Sequence, residues 1–135
     1  MRRLAAILTA AITLAGSAWA QSPGADVLAT LDQMMIARAV SAKCGHPDAP
    51  TADAFQHRYD SALERAGAAL KTLSSDLSKP HIEKLMNDHY GEIDRHTSAV
   101  IAQESCSGPH IQQALQKYDS VANSADTQLT IDGNN

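Results

Sequence analysis

The stretch "FQHRYDSALERAGAALKTLSSDL", Phe55 to Leu77, decides the fold of this chain. Its apolar residues recur at steps of three or four: Phe55, Tyr59, Ala62, Ala66, Leu70, Leu73 and Leu77. This spacing places them on one side of an α-helix, whereas a half-buried strand would alternate apolar and polar residues. Thr51 as the N-cap and Asp53 in the first turn predict where this helix begins.

Three further segments have helical periodicity, over residues 25–43, 81–104 and, in a shorter helix, after Pro109. Their apolar sides are formed by Val27, Leu31, Met34 and Met35, by Ile82, Met86, Ile93 and Val100, and by Ile111, Leu115, Tyr118 and Ala122. Short connections rich in Pro and Gly favour antiparallel neighbours. The sequence therefore predicts one all-α domain over residues 21–126, an up-down-up-down four-helix bundle, followed by a frayed polar tail at 127–135.

The first twenty residues, "MRRLAAILTAAITLAGSAWA", have the features of a signal peptide. Arg2 and Arg3 form a positive start, residues 4–14 form an apolar core too short to span a bilayer, and Ala18-Trp19-Ala20 ends in a small-x-small cleavage pattern. We expect Sec export and cleavage after Ala20. The mature chain is then expected to be periplasmic or secreted.

Cys44 and Cys106 are the two cysteines of the chain, and an even count in an oxidising compartment predicts one disulfide. The bundle topology supports this pairing. Helices one and three run parallel in an up-down-up-down bundle, so residues that follow their C-terminal ends lie at the same end. Diagonal helices are too far apart at mid-bundle for a disulfide, but residues just past the helix ends can turn inward and meet.

The charge of the chain excludes some classes of partner. Without the predicted signal peptide, nine basic residues remain against fifteen acidic ones, a formal charge of −6. Nucleic acids and anionic membrane surfaces attract clustered Lys and Arg, so neither is an expected partner. Metalloprotease, phosphate-loop and nucleophile-elbow motifs do not occur, and no cofactor is predicted.

The stretch "HYGEIDRH", His89 to His96, contains the most functional-looking residues of the chain. His89, Glu92 and His96 fall on or near the apolar side of the third helix, where pairs three or four apart can share an ion. The two histidines are about 10.5 Å apart along the axis, too far to hold one small ion together. A copper or haem site would therefore need ligands from other segments, and the candidates are Met34, Met35 and Met86. The alternatives are ordinary histidines at the edge of the core, or histidines that sense pH.

Two other features of the sequence raise structural questions. Arg38 and Glu104 both fall on apolar helix faces near the cysteines, which suggests a partly buried ion pair, with two solvent-exposed side chains as the alternative. Gly91 interrupts the third helix on the side opposite its apolar stripe, at a cost of about 1 kcal/mol against alanine. Either another backbone approaches that surface or the helix bends there.

Two resemblances are visible. "LMNDHYGEIDRHTS", Leu85 to Ser98, resembles a helix of exported ferritin-like bundles, and the size, helices and single disulfide resemble small periplasmic acid-stress chaperones. Neither resemblance assigns a role to a residue. The sequence predicts a non-catalytic exported binding protein, accessory or chaperone-like, whose partner is another exported protein. The alternative is a metal- or haem-binding bundle.

Overall fold

The computed structural model describes residues 23–124 and confirms the four-helix bundle. The helices are α1 (Pro23–Cys44), α2 (Ala49–Leu73), α3 (Lys79–Glu104) and α4 (Pro109–Asn123). All regular secondary structure within these described residues is α-helical, and none of the four helices is long and apolar enough to cross a membrane. The predicted signal peptide and the predicted tail lie outside the described residues.

The start of α2 differs from the sequence prediction. The N-cap is Asp48 rather than Thr51, and its carboxylate accepts a hydrogen bond of 2.9 Å from the Thr51 backbone N–H. Pro50 lies in the first turn, where its missing N–H and fixed φ are tolerated. The Thr51 side chain, followed by the Thr51 backbone N–H, holds the pKa of the Asp48 carboxyl below its usual value. The helix also ends at Leu73, so Leu77 lies outside it.

Helix α1 is the central helix of the bundle. It contacts all three others, and the buried residues of its C-terminal half lie on several sides of the helix axis: Met34, Met35, Ala37, Ala39, Val40 and Ser41. The small side chains among them let neighbouring helices approach closely. The sequence prediction of a single apolar stripe on this helix was therefore too narrow.

Helix α3 packs mainly against α1, and less against α2 and α4. Asp32 of α1 contacts His89 of α3, and Cys44 at the end of α1 is bonded to Cys106 just after α3. Residue numbers therefore increase in the same direction along both helices, which are parallel as predicted. Because α1 lies at the centre, α3 contacts it directly.

The predicted disulfide between Cys44 and Cys106 is confirmed, with Cα atoms 5.4 Å apart. It joins the C-terminal end of α1 to the turn after α3. The opposite side of α1 is filled by aromatic packing, where the rings of Phe55 on α2 and Tyr118 on α4 stack with centroids 3.9 Å apart. Helices α1, α2 and α4 thus form the core, and α3 is attached to it covalently at one end.

Removal of the disulfide should destabilise the protein strongly. We expect the double substitution Cys44→Ser and Cys106→Ser to lower the free energy of unfolding by about 4 kcal/mol, because a loop of this length is no longer closed in the unfolded chain. Urea denaturation followed by circular dichroism measures this change. A loss below about 1 kcal/mol would show that the disulfide does not stabilise the bundle.

Two glycines should respond in opposite ways to substitution by alanine. A Cβ atom at Gly91 would meet nothing within 4 Å, so Gly91→Ala should raise the free energy of unfolding by about 1 kcal/mol. A Cβ atom at Gly108 would overlap the Glu104 Cβ, so Gly108→Ala should lower it by about 1 kcal/mol or more. Thermal denaturation of both variants tests the pair. Destabilisation by Gly91→Ala would show that the outer surface of α3 is covered.

Candidate functional site

The candidate functional site is an open groove of about 580 Å³ between α1, α3 and α4. Helix α3 packs mainly against α1 and less against α4, and Ile36 and Val40 of α1 form the floor between α3 and α4. The apolar lining consists of Ile36, Val40, Ile93, Val100, Ile111 and Ala114. The polar lining consists of His89, Glu92, His96, Thr97, Gln103, Glu104 and His110. We call this region the α1–α3–α4 groove.

Ile36 is an exposed apolar side chain of the groove floor. Its side chain remains 43% exposed, although it lies on the helix that is otherwise the most buried of the four. Two other large apolar side chains are exposed among the described residues, Leu73 and Leu85, and neither lines this groove. Ile36 is thus distinguished by its position on an apolar floor rather than by exposure alone.

The three residues of the predicted metal-binding stretch all line the α1–α3–α4 groove. His89, Glu92 and His96 are exposed on α3, on the wall that faces α4. His89 also contacts α1, since its Nε2 atom lies 2.7 Å from Oδ1 of Asp32. A histidine–carboxylate contact at this exposure contributes little to stability, so its main effect is to orient the imidazole at the groove rim.

The predicted methionine ligands lie elsewhere. Met34 and Met35 are buried in the hydrophobic core, and Met86 packs against that core and lines a separate groove between α2 and α3. None of the three lines the α1–α3–α4 groove. Within residues 23–124, no three His, Cys, Asp or Glu side chains are grouped so that they could hold a metal ion. The histidines and methionines of the metal hypothesis are therefore in different environments.

The disulfide end of the groove carries a second histidine–carboxylate contact. His110 Nδ1, in the first turn of α4, lies 2.5 Å from Oε1 of Glu104 at the end of α3. The His110 backbone N–H also donates to the other oxygen of the same carboxylate, at 3.3 Å. Glu104 thus caps the start of α4 and closes this end of the groove with a polar contact.

On the opposite side of α1, Arg38 lies among all three tyrosines of the chain. Its Cζ atom is 4.6 Å from the centre of the Tyr59 ring and 5.5 Å from that of Tyr90. Burial raises the pKa of the Tyr59 and Tyr118 phenols, and the nearby Arg38 charge acts in the opposite direction on both. These four residues come one from each helix, and we call them the arginine–tyrosine cluster.

The suggested ion pair between Arg38 and Glu104 is not formed. Glu104 instead contacts His110, and the Arg38 charge is stabilised by the faces of aromatic rings. Arg38 points toward α2 and α3 rather than along α1 toward the end of α3. The position of Arg38 on the apolar side of α1 correctly indicated that its side chain is partly buried. It did not indicate that Tyr59 and Tyr90 are the residues it contacts.

His110 is the groove residue that sequence reasoning missed. It lies in a different helix from His89 and His96, and its pattern in the sequence is that of an ordinary first-turn residue. The signal that could have found it is Glu104, which falls on the inward side of α3 six residues earlier.

Comparison of the chain with protein-family profiles, with curated proteins and with solved structures gives no match.

The arginine–tyrosine cluster should be measurable as an energetic coupling. We expect Arg38→Met and Tyr90→Leu each to destabilise the protein, and the double variant to lose about 0.5–2 kcal/mol less than the sum of the two, because both single changes remove the same cation–π contact. Urea denaturation of the four proteins in this cycle gives the coupling. If the two losses of unfolding free energy simply add, the contact between Arg38 and Tyr90 does not contribute to stability.

The two buried tyrosines predict a loss of stability in alkali. Burial raises the pKa of the Tyr59 and Tyr118 phenols above the usual 10.0, so the unfolded chain loses these protons first. Their contribution to stability is complete below about pH 10 and is lost as the pH rises through the higher pKa of the folded state. We expect the urea midpoint to fall as the pH rises above the usual tyrosine pKa, and to fall less in Tyr118→Phe. An equal fall in wild type and variant would contradict this assignment.

Proposed function

We propose that the protein is an exported, non-catalytic binding protein, accessory or chaperone-like, that holds another exported protein in the α1–α3–α4 groove. The observation that carries this proposal is the exposure of Ile36 on an apolar floor between two helices that do not close over it. Concave apolar surfaces with a polar rim are typical of protein and ligand binding sites.

The side chains around the groove support binding rather than catalysis. Both cysteines of the chain are joined in the disulfide, so neither is available as a nucleophile. Thr97, the hydroxyl in the groove lining, is buried to 4% exposure and therefore poorly placed to attack a substrate.

Two features support export. The predicted signal peptide provides the route, and a disulfide between Cys44 and Cys106 is stable in an oxidising compartment such as the periplasm.

The formal charge of −6 after cleavage is consistent with a protein partner rather than a nucleic acid. The polar rim around a modest apolar floor is typical of non-obligate interfaces.

Site-directed photo-crosslinking tests this function. p-Benzoylphenylalanine in place of Ile36 should give a discrete crosslinked species in the native compartment, because the reactive group lies on the groove floor. The same group in place of Leu73, which is more exposed but outside the groove, is the matched control. Equal crosslinking at both positions, or none at Ile36, would contradict a binding role for the groove.

Metal analysis of the natively exported protein tests the alternative function. The binding-protein proposal expects no stoichiometric copper, iron or zinc and no Soret band. About one metal ion per chain that is lost in His89→Ala or His96→Ala would instead make the stretch from His89 to His96 a metal site.

A further inference from the structure

We propose that the occupant of the α1–α3–α4 groove is a basic amphipathic helix of the partner protein. This inference rests on the proposed function and specifies the chemistry of the partner. It follows from the backbone that surrounds the groove, from the charges on its rim, and from the length and position of its apolar floor.

The backbone around the groove favours a helix as the bound element. All three surrounding elements are α-helices, whose backbone N–H and C=O groups are bonded within each helix except at the ends. An extended peptide that adds to a sheet needs an open strand edge, and the groove walls provide none. A helix that lays its apolar side into a hydrophobic groove needs no backbone hydrogen bonds from its partner.

The charges on the rim favour a basic occupant. The permanently charged side chains that line the groove are the carboxylates of Glu92 and Glu104, and its lining contains no Lys or Arg. Asp32 adds a carboxylate beside His89, while Lys43 on the same side of α1 is neutralised by Asp94 at 2.5 Å. Lys117 lies in the adjoining depression on the other side of Ile36 rather than in the groove lining.

The length of the groove along α3 matches about four turns of a helix. The wall formed by α3 runs from His89 to Glu104, about 22 Å at 1.5 Å per residue. Ile36 and Val40 on the floor are four residues apart and so lie one above the other on α1. An incoming helix with apolar residues at i, i+3 or i+4, and i+7 could place them along this floor while its Lys or Arg residues contact the acidic rim.

Model peptides test the inference directly. The probes are three 18-residue peptides: one with Leu and Lys at amphipathic helical spacing, one with Glu in place of every Lys, and one with the Leu and Lys residues in scrambled order. Each is titrated into the disulfide-bonded protein at pH 7, and the affinity is measured by fluorescence anisotropy. The protein variants are Ile36→Ser with Leu73→Ser as its control, and Glu92→Gln with Glu64→Gln as its control.

We expect the basic amphipathic peptide to bind with one-to-one stoichiometry, and more tightly than the other two. Ile36→Ser should weaken this binding about tenfold or more through lost apolar contact, and Glu92→Gln about two- to fivefold through lost charge. Leu73→Ser and Glu64→Gln should leave the affinity unchanged. All four positions are exposed, so circular dichroism should show the same folded bundle in every variant.

Three results would overturn the inference. Binding of the basic peptide that is insensitive to Ile36→Ser, or equal binding of the scrambled peptide, would mean attraction by net charge rather than by the groove. Equal or tighter binding of the acidic peptide, with sensitivity to Ile36→Ser, would contradict a basic partner while supporting the proposed binding function. Failure of all three peptides to bind would overturn the helical occupant, and photo-crosslinking at position 36 would still decide the proposed function separately.

Discussion

The Arg38 guanidinium, held against the rings of Tyr59 and Tyr90, is the interaction on which the arrangement of the four helices depends. A half-buried cation must be stabilised by its surroundings, and here aromatic faces do so in place of a carboxylate. The charge on α1 thus contacts rings on α2 and α3 and acts electrostatically on Tyr118 of α4. The cluster therefore favours an arrangement with α1 at the centre.

The central position of α1 has a direct consequence for the surface. A helix that is surrounded on most sides needs small residues, and Ala37, Ala39 and Ser41 provide them. Helices α3 and α4 both pack against α1, and Ile36 between them remains exposed. The groove is thus the result of the same packing that buries the arginine–tyrosine cluster. The disulfide holds α3 in this offset position at one end.

Local patterns in the sequence were sufficient for the elements and the covalent link. The stripe from Phe55 to Leu70 predicted α2, and the positions of Cys44 and Cys106 after two parallel helices predicted their bond. Helical periodicity and chain reversals depend on residues that are close together in the sequence, so a single sequence is sufficient to predict them. The cap of α2 was missed because Asp48, Thr51 and Asp53 are all suitable residues, and the actual choice depends on where the backbone leaves the preceding turn.

The partners of polar side chains could not be predicted in the same way. Arg38, Glu104 and His89 were each recognised as lying on inward faces, but their partners are in helices whose relative offset the pattern does not determine. The histidines of the stretch from His89 to His96 line an exposed groove rather than a core because α3 packs beside α1 instead of closing over it. A helical stripe defines which side of a helix faces inward, and not how completely that side is covered.

The most direct test of this account is carbene footprinting of side chains in the purified protein and in the native exported fraction. The account predicts that Ile36 is labelled in the purified protein and protected in the native fraction, while Leu73 and Leu85, exposed outside the groove, are labelled equally in both. Protection confined to Ile36 and its neighbours in the groove would place the partner there. Equal labelling of Ile36 in both samples would contradict the claim that the groove is a binding site.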